Sequence, residues 1–303
     1  MFTQNTSLII PTRNRPLLLN KILKQLQDLK IKFYEILIID SSDPNIKTVV
    51  TSICKKYKVL LFDSKASSSL QRNIGLLKKS KKTNFFMFLD DDVIFFKNAF
   101  DEMNKTIFKY SKNNDIIGFG FNQINSSKDN FFEKIKKSIL IKVINLYSDK
   151  PGQVTKGGWH TKILNLKEDT IAEWVFTTAS VFKSSSVGQK RFDLSFGSYS
   201  YLEDLDFSLN LTRKNKKIII SSSSKFKHPL NIDRSSYLFG KIEILNRYKI
   251  VNKYKFKKNI FFFSILIRFL LSFSKILILD FNSFNRALGN ICGILIILFN
   301  KKV

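Results

Sequence analysis

Short apolar runs alternate with helix-like segments through the first 121 residues, and this alternation restricts the possible folds more than any other feature. The runs are "SLIIP" (7–11), "EILIID" (35–40), "KVLLFD" (58–63), "NFFMFLD" (84–90) and "DIIGFGF" (115–121). Behind Pro16, leucine and isoleucine recur at helical spacing. Strands that alternate with helices predict an α/β fold with a Rossmann-like, mixed but mostly parallel sheet flanked by helices.

Polar residues follow three of these predicted strands at the point where each strand ends. The loop "PTRNR" follows the first strand, Asp40 ends the second and Asp90 ends the fourth. Parallel strands present their carboxyl ends at one edge of a sheet, where open α/β sheets bind their ligands. The sequence therefore predicts a binding site at this edge.

Three consecutive acids, Asp90, Asp91 and Asp92, stand out because the chain has 24 Asp and Glu against 51 Lys and Arg. Adjacent carboxylates raise one another's pKa unless a cation shares them. If the alternation of a strand continues, Asp90 and Asp92 point the same way and Asp91 points elsewhere. Such a pair could hold Mn²⁺ or Mg²⁺ together with a substrate diphosphate. A solvated acidic turn is the alternative interpretation.

Five motifs occur in the order and approximate spacing seen in family 2 glycosyltransferases of the GT-A fold. They are "SLIIPTRNRP", "EILIIDSSD", "SSLQRNIG", "FFMFLDDDV" and "YLEDLDFSL", and the resemblance covers roughly residues 5–250. It implies an inverting, metal-dependent enzyme that moves a sugar from a nucleotide diphosphate sugar to an acceptor hydroxyl. A UDP-sugar is the donor that the family suggests first.

The resemblance implies donor-binding roles for residues in four of these motifs. These residues are Pro11, Thr12, Arg13 and Arg15 after the first strand, then Asp40, then Arg72 and Asn73 in "QRNIG", then Asp90 and Asp91. Asp40 would bind the base or ribose, and Arg72 would lie near the nucleotide and its diphosphate. The family's "DDGS" is "DSSD" here, which makes Asp43 a candidate for a displaced second acid.

The metal ligands that the resemblance implies are Asp92, Asp90 and His228. Asp90 and Asp92 match the two acids of the family's DxD motif. His228, in "KFKHPLN", lies where some members carry a further ligand. A surface or packed histidine is the alternative for His228.

Glu203 and Asp204 match the family's "ED" pair, whose aspartate is the catalytic base in inverting members. Acids in the first turn of a helix are also favoured by the helix dipole without any catalytic role. Trp174 in "EWVFTTAS" is a candidate for the acceptor site because indole faces stack on sugars. A core tryptophan on a strand fits that position equally well.

A net charge of +27 admits two kinds of partner, nucleic acid or an anionic membrane. Residues 225–258 carry ten Lys or Arg against two acids, directly ahead of an apolar tail, and no zinc-finger or RRM signature is present. This distribution predicts an anionic membrane surface as the partner and no nucleic acid. The alternative is that the positive charge reflects a lysine-rich composition spread over a solvated surface, without a specific partner.

The tail contains two apolar segments, 259–280 and 289–300. The first has the length of a membrane span but contains Arg268 and Lys275, and the second is short for a span. A charge near the middle of a bilayer is costly. We therefore expect helices in the membrane interface or a shallow re-entrant hairpin, with a helical cap packed on the catalytic domain as the alternative.

These patterns predict a GT-A domain over 1–250, with a nucleotide-binding half (1–124) and an acceptor half (125–250), and basic, apolar C-terminal helices over 251–303. The stretch 131–148 predicts an amphipathic helix. The N-terminus lacks the pattern of a signal peptide, and the two cysteines have no metal or disulfide spacing. We expect a cytoplasmic protein, peripheral on the inner face of the membrane.

A lipid-linked or glycan acceptor, in surface polysaccharide or glycolipid assembly, fits this placement. A sugar nucleotidyltransferase is the first rival, but the chain starts with "PTRNRP" in place of a glycine-rich phosphate loop. A non-enzymatic basic protein that binds membranes or nucleic acid is the second, and charge alone supports it.

Overall fold

The structure is a computed structural model that describes residues 1–125, 148, 150–197, 200–213, 215–229, 236–273 and 281–299. Two compact units make up the chain. The first contains Met1–Ser126 and Lys162–Pro229, and the second contains Ser127–Thr161 and Leu230–Val303. The division into functional halves with a tail from residue 251 stays a prediction, and the amphipathic helix predicted over 131–148 lies outside the described residues except for Ser148.

The first unit alternates strands and helices as its sequence pattern predicts. Its strands are β1 (Thr6–Thr12), β2 (Glu35–Asp40), β3 (Leu60–Asp63), β4 (Phe85–Leu89), β5 (Ile94–Phe95), β6 (Ile116–Gln123), β7 (Thr170–Ala172), β8 (Ala179–Lys183) and β9 (Lys217–Lys227). Its helices are α1 (Pro16–Asp28), α2 (Pro44–Tyr57), α3 (Ser68–Lys78), α4 (Ala99–Tyr110), α5 (Ser184–Val187) and α6 (Glu203–Thr212), with 3-10 turns at Phe2–Asn5 and Leu194–Phe196. All five predicted strands of the first 121 residues are present.

Within the described residues the strands form one nine-stranded sheet in the order β3-β2-β1-β4-β8-β6-β9-β5, with β7 also paired to β9. The first four strands in this order are parallel, and β8 runs antiparallel to both β4 and β6. This mixed sheet flanked by helices confirms the predicted fold class. Because β1 and β2 are parallel and in register, Thr12 lies beside Asp40 at their carboxyl ends.

The sheet is buried because its strands carry apolar side chains on both faces. Leu8, Ile9 and Ile10 of β1 are all fully buried. Helix α1 packs its apolar stripe, which includes Leu19 and Ile22, into the same core. A strand buried on both faces holds its carboxyl end rigidly, which is what a precise binding site needs.

The second unit is helical in its described part, with α7 (Tyr237–Lys253), α8 (Lys258–Phe273) and α9 (Phe281–Phe299). The three helices share an apolar core that includes Ile244 of α7, Phe261 of α8 and Ile297 of α9. Trp159, which precedes these helices in the chain, is part of the same core. None of the described helices combines the length and apolarity that crossing a bilayer requires.

Glu243 on α7 is a buried acid held by arginines of the same unit. Its Oε2 accepts a hydrogen bond of 2.6 Å from Nη2 of Arg286, and its Oε1 lies 3.8 Å from Nη2 of Arg247. Burial would raise the pKa of Glu243, but the charges of Arg286 and Arg247 outweigh burial and hold this pKa below its ordinary value. The ion pairs therefore stabilise the second unit above the ordinary pKa of glutamate, about 4.3, and this stabilisation is lost as the pH falls through the depressed value.

We expect Glu243→Gln to lower the free energy of unfolding by about 3 kcal/mol at pH 7, because it leaves buried arginine charge uncompensated. The deficit should shrink below about pH 4, where the wild-type carboxyl also becomes neutral. Urea unfolding at both pH values measures the change, and Glu168→Gln, at an exposed residue, is the matched control. An equal deficit at pH 7 and well below pH 4 would contradict the ion-pair explanation.

Candidate active site

Gln71 of α3 joins the ends of two neighbouring strands at the predicted edge. Its Nε2 donates to the carbonyl oxygens of Thr12 (2.8 Å) and Ile39 (2.7 Å), and the side chain is buried. This amide therefore sets the spacing between β1 and β2 where the site begins. Gln71 was not among the predicted site residues, although it directly precedes Arg72 in the motif "QRNIG".

The acidic triplet does not follow the alternation of a strand. Strand β4 ends at Leu89, and Asp91 and Asp92 lie in a turn. Asp90 pairs with Nη2 of Arg72 at 2.9 Å, whereas Asp92 accepts from other residues. Both carboxylates nevertheless raise the pKa of His228, and the action of Asp90 and Asp92 as one pair stays a prediction.

Asp91 anchors the triplet to β1. Its Oδ2 accepts a hydrogen bond of 2.7 Å from Thr12 Oγ1, and its Oδ1 lies 3.3 Å from Nη1 of Arg15. Burial raises the pKa of Asp91 to about 6, against the opposing effects of Thr12 and Arg15. With 4% of its side chain exposed, Asp91 supports the loop, and this burial argues against the predicted donor contact of Asp91.

Asp92 faces His228 across the edge of the site. His228 Nε2 and Asp92 Oδ1 are 2.9 Å apart, and Arg15 Nη1 lies 3.2 Å from Asp92 Oδ2. Burial alone would raise the pKa of Asp92, but the hydrogen bond and charge of His228 hold it below its ordinary value. Burial would likewise lower the pKa of His228, and Asp92 keeps it above its ordinary value. His228 is therefore mostly buried beside Asp92 and is not a surface histidine, and its role as a metal ligand stays a prediction.

Asp92 and His228 offer a carboxylate and an imidazole to a divalent cation. Among the described residues there is no cluster of three or more His, Cys, Asp or Glu side chains arranged to hold a metal ion. Mg²⁺ and Mn²⁺ are commonly bound by one or two protein ligands that substrate phosphates and water complete. The donor set therefore fits such an ion when a diphosphate is bound with it.

Arg72 of α3 connects the triplet to the second predicted acidic motif. Its Nη2 bonds Asp90, and its Nη1 donates to Oε1 of Glu203 at the start of α6. Burial alone would lower the pKa of Arg72, but the carboxylates around it, led by Glu203, hold this pKa above its ordinary value. The guanidinium thus brings together acids from β4 and α6 that are far apart in sequence.

Glu203 uses both carboxylate oxygens in this network. Ser68 Oγ lies 2.8 Å from Oε1, Ser69 donates to Oε2, and Arg72 donates to Oε1. The residue is 8% exposed. The predicted catalytic role of Glu203 therefore conflicts with the structure, because its lone pairs are occupied and it has little contact with solvent. Its contacts join the start of α6 to Ser68, Ser69 and Arg72 of α3.

Asp204 differs from Glu203 in being partly exposed. Its Oδ1 accepts a hydrogen bond of 2.5 Å from Thr177 Oγ1. Burial raises the pKa of Asp204 to about 6, and the nearby charge of Arg72 opposes that shift. A carboxylate with a pKa close to neutrality is suited to accept a proton, so Asp204 is the better candidate for a general base.

Leu202, directly before α6, has a left-handed backbone with φ of 75°. Ser200 also has a positive φ, at 48°. Such conformations are strained for residues with a Cβ and concentrate at functional sites. This strained turn lies directly before α6, whose first residues, Glu203 and Asp204, face Arg72.

Asp40 ends β2 with one oxygen satisfied and one without a partner. Its Oδ1 accepts from the Ser42 amide (3.0 Å) and hydroxyl (2.6 Å), whereas Oδ2 is buried with no hydrogen-bond partner among the described residues. An unpartnered buried acceptor is costly unless a ligand satisfies it. Asp43 instead pairs reciprocally with Asn14, which joins the loops after β1 and β2.

Two predicted contact residues are occupied elsewhere. Asn73 bonds the backbone of Phe192 in both directions, through Nδ2 (2.9 Å) and Oδ1 (2.8 Å), so its amide has a structural role that conflicts with donor binding. Trp174 is 2% exposed and packs edge-on against Phe176. Trp174 is therefore packed in the core, although it lies outside the strands, and its acceptor role stays a prediction that this burial does not favour.

The remaining loop residues lie at the mouth of the site. Pro11 belongs to β1 and is partly buried, while Arg13 and Arg15 are exposed. Long cationic side chains at the carboxyl edge of a parallel sheet are suited to meet an anionic ligand.

The family profile described as "Glycosyl transferase family 2" matches residues 7–166, which is more than half of the 303-residue chain. The chain belongs to glycosyl transferase family 2. The matched range includes Asp40, Arg72 and the acidic triplet, so it contains most of the site described above. No curated protein matches the sequence.

Solved structures resemble this family 2 member at low sequence identity. The mannosyltransferase PcManGT from Pyrobaculum calidifontis, solved with GDP-Man and Mn²⁺, has a TM-score of 0.55 at 10% identity over 98% of this chain and 88% of its own. GalNAc-T7, solved with UDP, GalNAc and Mn²⁺, has a TM-score of 0.54 at 13% identity over 74% of this chain and 43% of its own. These likenesses show the fold, and they confirm the predicted GT-A fold of this family 2 chain.

TarS of S. aureus also matches, with a TM-score of 0.49 at 14% identity over 80% of this chain. The family 2 chain spans 40% of the length of TarS.

Proposed function

We propose that this protein is an inverting glycosyltransferase that moves a sugar from a nucleotide diphosphate sugar, with UDP-sugars as the first donors to test, to an acceptor hydroxyl. One observation carries the proposal: Arg72 bonds both Asp90 and Glu203, which brings the acidic triplet and the helix that bears Asp204 to one site. Membership of family 2 supports the reaction class.

The proton acceptor in this proposal is Asp204. The acceptor hydroxyl attacks the anomeric carbon on the side opposite the departing diphosphate, through an oxocarbenium-like transition state. The new sugar–oxygen bond forms as the bond to the diphosphate breaks, and Asp204 takes the hydroxyl proton. One displacement inverts the anomeric configuration. General-base help of this kind supplies about 100- to 10,000-fold in rate.

The donor nucleotide would bind over the carboxyl ends of β1 and β2. The unpartnered Oδ2 of Asp40 supports its role as acceptor for a hydroxyl or N–H of the ribose or base. Arg72 has a buried Nε without a partner among the described residues and lies beside Asp90. Arg13 and Arg15 are exposed at the mouth, where they would meet the diphosphate.

A divalent cation, Mn²⁺ or Mg²⁺, is part of the proposal. Asp92 and His228 would hold it, with Asp90 nearby in the triplet. When bound, the ion would neutralise negative charge on the leaving diphosphate. PcManGT and GalNAc-T7 were both solved with Mn²⁺, which supports testing that ion first.

The biological setting is also a proposal. We infer a lipid-linked or glycan acceptor in surface polysaccharide or glycolipid assembly, and a cytoplasmic protein at the inner face of the membrane. The strongly basic chain, with a net charge of +27, supports attraction to anionic lipid. In this proposal residues 1–124 bind the donor, residues 125–250 bind the acceptor and residues 251–303 contact the membrane.

Nucleotide release from a panel of nucleotide sugars, measured with purified full-length protein and Mn²⁺, tests the proposal. We expect release with at least one donor and a loss of about 100-fold in Asp92→Ala. Asp101→Ala, at an exposed acid on α4, should behave as wild type.

Release that survives Asp92→Ala unchanged would contradict the metal assignment. Formation of a nucleotide sugar and pyrophosphate from a sugar phosphate and a nucleoside triphosphate would indicate a nucleotidyltransferase instead. No release with any donor, together with tight and salt-sensitive binding of random DNA, would favour a non-enzymatic basic protein.

A further inference from the structure

Helix α8 of the second unit buries a polar residue among its core residues and exposes apolar residues on its outer face. Ser264 is buried at 2% exposure, beside the core residues Phe261 and Ile265. On the opposite side, Leu266 and Leu270 are about half exposed, at 50% and 53%. A helix that faces water has the reverse arrangement.

Trp159 contacts both Ser264 and Arg268 of α8. Trp159 Nε1 donates to Ser264 Oγ at 2.5 Å, and the guanidinium carbon of Arg268 lies 3.6 Å from the centre of the Trp159 ring. Arg247 of α7 also lies over this ring, at 4.0 Å. Arg268 therefore interrupts the apolar segment in sequence but not on the outer face of the helix.

Helix α9 repeats the same inverted arrangement. Arg286 is turned to Glu243 of α7, and Asn290 is buried. The outward residues Leu288, Leu295 and Phe299 are exposed and recur at spacings of seven and four, which puts them on one side of the helix. Two helices of the same unit thus leave apolar stripes uncovered.

Small residues let α7 and α9 approach closely. A Cβ atom added at Gly289 would lie 2.0 Å from the carbonyl oxygen of Tyr237, and one at Gly240 would lie 2.2 Å from that of Arg286. Close contact through glycine, with polar side chains facing the partner helix, is typical of helices that pack inside lipid. Yet none of the described helices is long and apolar enough to cross a bilayer.

A lysine-rich turn lies between α7 and α8, directly before the outer stripe of α8. Lys253, Lys255, Lys257 and Lys258 are all exposed. No acidic residue occurs from 244 to 279 in the sequence. Phosphate head groups complement this charge, whereas a second copy of the chain would bring the same positive charge to the contact.

We propose that α8 and α9 dock the second unit on an anionic bilayer without crossing it. The stripes that contain Leu266, Leu270, Leu288 and Leu295 enter the boundary between head groups and acyl chains, and the turn at 253–258 binds the lipid phosphates. This contact rests on the proposed membrane placement of residues 251–303 and names the helices and the turn that make it. It needs no donor, acceptor or metal, so its test can fail while the proposed sugar transfer stands.

Co-sedimentation of the full chain with vesicles tests this surface. Wild type should pellet with vesicles of phosphatidylcholine and phosphatidylglycerol and much less with phosphatidylcholine alone. The variant Leu266→Asp/Leu295→Asp should lose pelleting. Both side chains are exposed, so the fold should be kept, which circular dichroism checks. Phe108→Asp, at a residue of α4 that is 82% exposed, is the matched control and should pellet as wild type.

The charge of the turn is tested by Lys257→Glu/Lys258→Glu. Acids are favoured at the start of a helix, so the fold of α8 should tolerate them. About fivefold in affinity per lysine predicts a loss of about 25-fold or more in binding to the anionic vesicles. Lys55→Glu/Lys56→Glu, with the same change in net charge at exposed residues of α2, should lose much less.

Undiminished pelleting of the Leu266→Asp/Leu295→Asp variant would overturn the proposal. Equal losses of vesicle binding in the Lys257/Lys258 and Lys55/Lys56 variants would also overturn it, because they would indicate attraction by the overall charge of the chain. Sedimentation velocity tests whether a second copy of the chain covers this face instead. If wild type is a dimer that the leucine variant dissociates while vesicle binding persists, a second copy covers this face and the proposal is wrong.

Discussion

Asp204→Asn is expected to lower kcat by about 100- to 10,000-fold, the range that a general base supplies, while donor affinity changes little. The amide keeps the size of the carboxylate and can still meet Thr177 Oγ1, which lies 2.5 Å from Oδ1, but it cannot take up a proton. Steady-state kinetics and donor binding by calorimetry measure the two effects separately.

The pH profile gives Asp204 a second signature. Burial raises the pKa of Asp204 to about 6, so the wild-type kcat/KM should rise with pH through that value and level off above it. Thr177→Val removes a hydrogen bond that favours the charged carboxylate, so the rise should move to higher pH. A purely structural role of Thr177 would not move it.

Asp101→Asn, at an exposed acid on α4, is the control for these kinetics and should match wild type. An Asp204→Asn variant with wild-type kcat would remove Asp204 from the reaction. A flat wild-type profile between about pH 5 and 7 would do the same.

Arg72→Met should destabilise the first unit by about 3–5 kcal/mol at pH 7, the cost of breaking a buried ion pair by removing one partner. The change leaves Glu203 buried without its counter-ion and takes the neighbouring cation from Asp90 and Asp204. Urea unfolding of the full chain measures this loss. Transfer activity should fall as well, since Arg72 joins the two acidic motifs.

The controls for Arg72→Met separate charge from packing. The deficit should shrink as the pH falls from 7 toward 4, because Asp204, which also faces Arg72 and has its pKa raised to about 6, becomes neutral. The double variant Arg72→Met/Glu203→Gln should recover part of the stability. Arg13→Met, at an exposed arginine, should stay within about 0.5 kcal/mol of wild type. Equal losses in the single and double variants would contradict the ion-pair account.

The strands and the location of the site could be predicted because they depend on local pattern. Apolar runs bounded by polar residues became β1, β2 and β4, and parallel strands bring their carboxyl ends to one edge whatever the rest of the chain does. Thr12, Asp40 and the triplet therefore had to meet there. Local pattern was less informative in "EWVFTTASVF" (173–182), where residues 173–178 lie outside the sheet and only the last four belong to a strand, β8.

The roles of single side chains at that edge were harder to predict. Glu203 and Asp204 are adjacent and chemically alike, yet hydrogen bonds from Ser68, Ser69 and Arg72 saturate the first and leave the second partly exposed. No periodicity distinguishes them, because their partners come from a different helix. The same reason accounts for Asn73, whose partner Phe192 is distant in the chain.

Hydrophobic periodicity in the chain was enough to predict a mostly parallel α/β sheet with acids at one edge. Each strand and helix depends mainly on the residues within it. Which of those acids is buried, paired or open depended on contacts between distant elements, such as the bonds of Arg72 to Asp90 and Glu203. The inward turn of Arg268 on α8 depended likewise on Trp159. Burial and ion pairing depend on tertiary contacts between distant residues, and the local sequence pattern does not determine them.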